Sequence, residues 1–367
     1  MKTPARVALA GVGQRGLQHL NALTSPPLQE LAQITALIDV NEENLRAEKL
    51  ARYAPALDIS RAARFTNIHD AFESSRFDAL YIAIPPSMHQ GEAVAAAEKG
   101  IHLFVEKPMS LRIEEAEEMR RAIDKAGVVS AVGFQQRYVP ANEAVHNFLA
   151  DKRVVMMTAI HNGALEHHSV KHTAAERQGG PKNRVWAANR AWSGTTVVEA
   201  GIHQVDLMRY WAGDIAWVEA TYVHRDESDI QDGADNPYAY RVALGFESGA
   251  AGNLILSRLR RTYYSDAYAS VLWTNGHIKF EADGAAAYFY DGADPPPMRP
   301  SIESLRRLLP SPPPCDPTVE IHRSFLKAAA AGDASGIRST FGGSMNSLAA
   351  VLGANLSDER GGERIWL

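Results

Sequence analysis

Up to about Phe134, short apolar runs alternate with stretches of helical spacing. Val7–Ala10 is the first run, and glycines follow it. Gln14–Leu23 has the period of a helix and stops at Ser25-Pro26-Pro27. Ile34–Ile38, Ala79–Ile84, Ile101–Val105 and Val128–Phe134 are further apolar runs. Between them Glu42–Tyr53, Gln90–Lys99 and Ile113–Ala126 read as helices. In the last of these, Glu114 and Glu115 come early and Lys125 late, which suits the helix dipole. Runs that are apolar throughout, alternating with helices, predict a parallel sheet covered on both faces.

After about residue 150 the pattern changes. Val154–Ile160 reads as a strand. The polar stretch Asn162–Thr195 is rich in His, Arg, Asn and Trp. Val198–Trp211 has helical periodicity. From Trp217 to Tyr290 successive strands are separated by Ser248-Gly249, Asn275-Gly276 and Asp283-Gly284, which are hairpin pairs. This predicts an antiparallel sheet. Asp294–Pro317 is Pro-rich and reads as a surface loop, and Val319–Ala331 and Ser344–Leu356 read as closing helices.

The chain has 367 residues, enough for two domains at roughly 100–200 residues each. A net charge of −5 and the lack of a basic run argue against nucleic acid as a partner and favour a small substrate. The single cysteine, Cys315, excludes an internal disulfide framework and is compatible with a cytoplasmic protein. Met1–Ala5 is too short for a signal peptide, and no apolar run approaches the ~20 residues of a membrane helix.

The first apolar run leads into Gly11-x-Gly13-x-x-Gly16, which opens the first helix. Gly11 permits the tight turn, Gly13 lets backbone approach a pyrophosphate, and Gly16 allows close helix–strand packing. The helix N-terminus offers N–H groups and a positive dipole end to phosphates. Asp39 ends the second run, where an acid that binds ribose hydroxyls is expected. Its charge would repel a 2′-phosphate, so NAD is favoured over NADP. Arg15 and Arg46 weaken that preference. Asp39 could also cap the helix that follows.

Several later segments resemble the Gfo/Idh/MocA family, named for glucose–fructose oxidoreductase and inositol dehydrogenase. They are Ile82-Ala83-Ile84-Pro85-Pro86-Ser87-Met88-His89, Glu106-Lys107-Pro108, Val132-Gly133-Phe134-Gln135-Gln136-Arg137-Tyr138-x-Pro140, and Glu199-x-Gly201-x-His203-x-x-Asp206. The end of the chain, Ser357 to Leu367, is similar too. The resemblance implies an α/β protein. Residues 1–135 would form a Rossmann domain with a mostly parallel sheet. Residues 136–367 would form an α/β domain with a large, mainly antiparallel, open-faced sheet, its closing helices packed back on the first domain. It further implies redox chemistry on a sugar, inositol or related polyol, and a homodimer or homotetramer formed through the outer face of the large sheet. Cofactor contacts would come from Gly11, Val12, Gly13, Gln14, Arg15, Gly16, Asp39, Ile84, Pro85, His89, Glu106, Lys107 and Gln135. Substrate contacts would come from Lys107, Tyr138, His161, Trp192 and His203.

Lys107 follows a buried-type strand. A lysine at the carboxyl end of a parallel strand points into the ligand crevice, where its ammonium could steady alkoxide charge. Alcohol oxidation also releases a proton, and imidazole can take it. The resemblance gives that transfer to His203. Glu199, four residues earlier, shares a helix face with it and could orient the ring. Many family members carry Asp at that position, and Glu199 could instead pair with Arg190 or Arg209. Asp206 reads as a structural carboxylate. Trp186, Asn189, Arg190 and Trp192 suit a polyhydroxylated ring or packing between domains. His161, His167, His168 and His172, with Glu166, raise a zinc alternative, but their setting reads as a loop and no metal is expected. Two other functions stay open: a lyase or glycosidase that keeps NAD bound and recycles it, and an NAD-binding sensor without turnover.

Overall fold

The computed structural model describes residues 3–164, 185–230, 234–259, 266–292, 295–296 and 298–367. Six apolar strands make one all-parallel sheet: β1 (Ala5–Ala10), β2 (Ala32–Ile38), β3 (Ala63–Phe65), β4 (Ala79–Ile82), β5 (His102–Val105) and β6 (Ser130–Val132). Their order is β3-β2-β1-β4-β5-β6. Helices α1 (Gln14–Leu23), α2 (Ala47–Tyr53), α3 (Ile68–Ser74), α4 (Glu92–Glu98) and α5 (Ile113–Ala126) connect them. The order reverses between β1 and β4. In such sheets the crevice at that point, beyond the carboxyl ends of the strands, is where ligands bind. The apolar pattern did not announce β3 or α3. Two of the three β3 residues are exposed, so this edge strand carries no buried-type signal.

The second sheet has nine strands. They are β7 (Val154–Ala164), β8 (Ile215–Val223), β9 (Ala239–Phe246), β10 (Ala251–Leu259), β11 (Asp266–Trp273), β12 (Gly276–Glu281), β13 (Gly284–Tyr288), β14 (Arg306–Leu308) and β15 (Ile365–Trp366). Their order is β14-β13-β12-β11-β7-β10-β9-β8-β15. Pairing is antiparallel except between β7 and β10, which run parallel with Leu256 beside His161 and Arg258 beside Gly163. Helices α6 (Pro140–Leu149), α7 (Ile202–Ala212) and α9 (Phe341–Glu359) cover one face. On the other face Met156, Ile255, Tyr268 and Leu272 are exposed, at positions matched across β10, β7 and β11.

Two departures from the sequence pattern shape the molecule. The Pro-rich Asp294–Pro317 stretch is not all loop, because β14 adds an edge strand to β13. Arg306 holds it there by bonding the carboxylates of Glu281 and Asp283. The helix expected over Val198–Trp211 is two pieces: a π-turn, Val197–Gly201, leads into α7. Helix α8 (Pro317–Ala331) returns to the first sheet. Its Ile321, Phe325 and Leu326 share a core with Val7, Leu9, Leu17 and Leu20. A second core runs unbroken from Val105 and Val132 to Val198, Ile202, Leu254 and Leu256. The two sheets are therefore joined by packing as well as by chain.

Candidate active site

The glycine turn is tied from both sides. Gly11 has φ +86°, and a Cβ there would lie 2.4 Å from the Ala83 carbonyl oxygen. A Cβ on Gly16 would lie 1.9 Å from the Gly11 oxygen. At Gly13, by contrast, an added Cβ meets nothing within 4 Å, and no side chain caps the N-terminus of α1. Asp39 braces the same turn: its carboxylate accepts the Val12 N–H at 2.7 Å, the Asn41 N–H at 2.9 Å and Asn44 Nδ2 at 2.9 Å. It is not a helix cap. Asn41 caps the turn that starts at Glu42. Val40, beside Asp39, is 80% exposed, an apolar surface at the ribose end that the sequence reading passed over.

Glu106 at the end of β5 is buried. It accepts Arg15 Nε at 2.8 Å and lies 2.8 Å from His19 Nε2, while its other oxygen takes the Lys107 N–H at 3.1 Å. Burial alone would raise this carboxyl. The Arg15 and His19 contacts overcome that and hold it below the usual carboxylate range. Gly133 leaves it room, since a Cβ there would lie 2.6 Å from Oε1. His19 Nδ1 in turn lies 3.0 Å from His322 Nε2 on α8. One of these two ring nitrogens donates and the other accepts. The signal for His19 was its place three residues after Gly16, but it had no partner in the sequence until α8 brought His322.

His19 and His322 are fully buried. Burial depresses both, assisted by the Arg15 charge. The native protein therefore leaves them neutral below pH 6.5, the ordinary histidine value, while the unfolded chain protonates them. The stability they contribute is complete above that pH and is lost as the pH falls below it. Stability is therefore expected to fall as the pH is lowered from 7 to 5. Urea midpoints measured from pH 7 to pH 5 check this. A flat profile would contradict it.

Lys107 Nζ donates to the Glu199 carbonyl oxygen at 2.6 Å and to its carboxylate at 3.3 Å. The π-turn places Glu199 there; insertions of this kind often mark functional positions. The alternative partners are engaged elsewhere. Arg190 pairs with Glu359, and Arg209 with Asp214 at 2.6 Å. His203 opens α7 with its ring edge-on to Phe134. Burial, then the Lys107 charge, push it down to about 3, against the opposing pull of Glu106 and Glu199. It is a neutral imidazole at pH 7, able to accept a proton. Asp206 lies away from the cleft: both its oxygens bind Arg137 at 2.7 Å, and Ser347 adds a third bond.

His161 on β7 is half-buried, and burial followed by Arg258 lowers it. Trp192 is exposed on the turn Arg190–Ser193, which lies against Pro86–Met88 beside Ile84 and Pro85. The His89 imidazole turns inward to Glu92 and is only 2% exposed, at the turn into α4. Tyr138 lies in the core behind α8, with its hydroxyl bonded to Ser324 Oγ and the Arg338 N–H. His167, His168, His172 and Glu166 lie outside the described residues. Among the described residues no group of three or more His, Cys, Asp or Glu is placed to hold a metal.

The glycine turn and its surroundings match the sequence model of an oxidoreductase family with an NAD-binding Rossmann fold over residues 5–134. The GFO/IDH/MocA C-terminal domain matches residues 155–279. The chain belongs to the Gfo/Idh/MocA family. It is thus an NAD-binding oxidoreductase with the family's α/β architecture. It is similar to scyllo-inositol 2-dehydrogenase (NAD(+)) of Bacillus subtilis, 29% identical over 76% of this chain and 74% of the relative. Its fold is similar to that of levoglucosan dehydrogenase in complex with NADH, with a TM-score of 0.77, 19% identity and 99% of both chains covered. It is also similar to that of the WlbA dehydrogenase of Bordetella pertussis in complex with NADH and UDP-GlcNAcA, with a TM-score of 0.75, 21% identity and 99% of both chains covered.

The residues of this family member fit its cofactor. Gly13 leaves open space at the α1 N-terminus, where phosphates could bind, and Asp39 lies at the end of β2 beside the same turn, where a ribose could be met. Arg15 Nη2, Gln135 Oε1 and His203 Nδ1 are buried polar atoms with no hydrogen-bond partner among the described residues. Such atoms are costly unless a ligand satisfies them.

Proposed function

We propose that this chain oxidises a secondary hydroxyl of a sugar, inositol or sugar derivative, or reduces the matching ketone. The observation that supports this most is the convergence of Lys107, Glu199 and His203 at the carboxyl end of β5. When bound, NAD supplies hydride acceptance. The chain's residues handle the oxygen and its proton. Lys107 hydrogen-bonds the reacting hydroxyl and stabilises negative charge as it develops there. His203, uncharged before reaction, accepts the hydroxyl proton. Glu199 offsets the charge His203 then carries and holds Lys107 in line through the same carboxylate. Glu106, clamped by Arg15 and His19, fixes the backbone of Lys107 relative to the glycine turn.

We infer homodimers or homotetramers from the exposed apolar face of the large sheet, since a contiguous patch of this kind marks an interaction surface. A cytoplasmic location is consistent with the single cysteine. Among the described residues no helix is long and apolar enough to cross a membrane.

A polyol panel incubated with NAD tests the reading. Steady growth of reduced-nicotinamide absorbance supports it. Bond cleavage by protein that retains NAD without net reduction would replace it with lyase or glycosidase chemistry. NAD binding with neither outcome would leave a sensor.

A further inference from the structure

Arg258 was not among the residues singled out in the sequence. It lies on β10, on the face turned toward the π-turn and α7, and is 5% exposed. A Cβ added to its neighbour Gly163 would come within 2.9 Å of Arg258 Nη1 and 3.7 Å of His161 Nε2. The guanidinium therefore occupies the space that Gly163 leaves, next to the His161 ring. Its one side-chain hydrogen bond among the described residues goes from Nη1 to the Ser257 carbonyl at 3.0 Å, and it forms no ion pair with a described carboxylate. Glu199 acts on it at longer range, too weakly to offset burial, which lowers the guanidinium from its ordinary value.

A buried cation without a carboxylate partner is expensive, and proteins rarely keep one that nothing neutralises. Among the described residues around it, the other cations are paired with carboxylates. Glu106 is matched by Arg15 and Glu199 by Lys107, while burial keeps His161 and His203 neutral. Among the described residues, Arg258 is left as a buried cation with no paired carboxylate. A planar guanidinium with several N–H donors is suited to a carboxylate or phosphate. We propose that Arg258 receives an anionic group of the substrate, so that the preferred polyol is an acid or a phosphate ester. This rests on the oxidoreductase reading above and narrows its substrate class. Gly163 serves the same end, because any side chain there would displace the guanidinium.

The test is calorimetric titration of the full chain, saturated with NADH, with gluconate, glucose 6-phosphate and myo-inositol in turn. The Arg258→Met and Arg258→Lys variants are titrated in parallel. At least one anion is expected to bind the wild type about tenfold or more tightly than inositol, and which one it is separates carboxylate from phosphate. Arg258→Met should weaken that anion about 10- to 100-fold and leave inositol unchanged, as for the loss of a charged hydrogen bond. Arg258→Lys should recover part of the loss. Inositol binding as tightly as both anions overturns the proposal, and so does anion affinity that survives in Arg258→Met. The wild-type comparison stands even if the methionine variant does not fold. Intact anion binding with no NAD reduction by any of the three compounds would count against the oxidoreductase reading alone.

Discussion

Replacing His203 with Asn is expected to lower kcat by about a hundred- to ten-thousand-fold, the usual worth of a positioned proton acceptor, with NAD affinity nearly unchanged. The ring packs edge-on against Phe134 and carries a buried Nδ1 with no partner among the described residues. Burial and Lys107 keep it neutral, so no step of deprotonation precedes its use. Asparagine keeps hydrogen-bonding groups and much of the volume but cannot accept a proton at neutral pH. The comparison that isolates proton transfer is kcat against the NADH dissociation constant from fluorescence titration. Full turnover in the variant would move the base elsewhere, with Lys107 first in line. Lys107→Met would then be the variant to read, since its ammonium meets the same Glu199 carboxylate.

Gly16→Ala should abolish useful NAD binding and destabilise the fold, whereas Gly13→Ala should weaken NAD alone. The difference lies in what each new methyl meets. At Gly16 it would overlap the Gly11 carbonyl oxygen, 1.9 Å away, so α1 must shift off β1. A misplacement of about 1 Å at a binding element can cost a hundredfold. At Gly13 the methyl meets no protein atom within 4 Å, but it projects where phosphates approach the helix end. Thermal unfolding read beside NADH titration separates the two: both signals fall for Gly16→Ala and only affinity falls for Gly13→Ala. Unchanged NADH affinity in Gly13→Ala would mean that the pyrophosphate lies elsewhere.

The first domain was largely readable because its strands are buried on both faces and its glycines have specific steric duties. Val7–Ala10, Ile34–Ile38 and Ile101–Val105 show as unbroken apolar runs. β3 does not, because an exposed edge strand has no such pattern. In the second sheet the hairpin pairs located β9 through β13, since those contacts are local. The parallel pairing of β7 with β10 joins residues nearly a hundred positions apart, and no local pattern encodes it. The same distance hid Arg258. Its meaning depends on Gly163 across the strand pair and on the lack of a described carboxylate partner, neither of which spacing reveals. The inward turn of His89 and Tyr138 was hidden for a related reason: a motif gives the path of the backbone but not the direction of each side chain. His89 turns toward Glu92, and Tyr138 toward Ser324.

On the proposed function, hydride passes between a polyol carbon and bound NAD while Lys107 and His203 handle the oxygen and its proton. The most direct measurement uses a substrate deuterated at the reacting carbon, identified from the panel, with mass analysis of the nicotinamide. One deuterium is expected in the reduced cofactor, and in the His203→Asn variant it should appear more slowly by the factor by which kcat falls. Substrate consumed with no deuterium on the nicotinamide would contradict it.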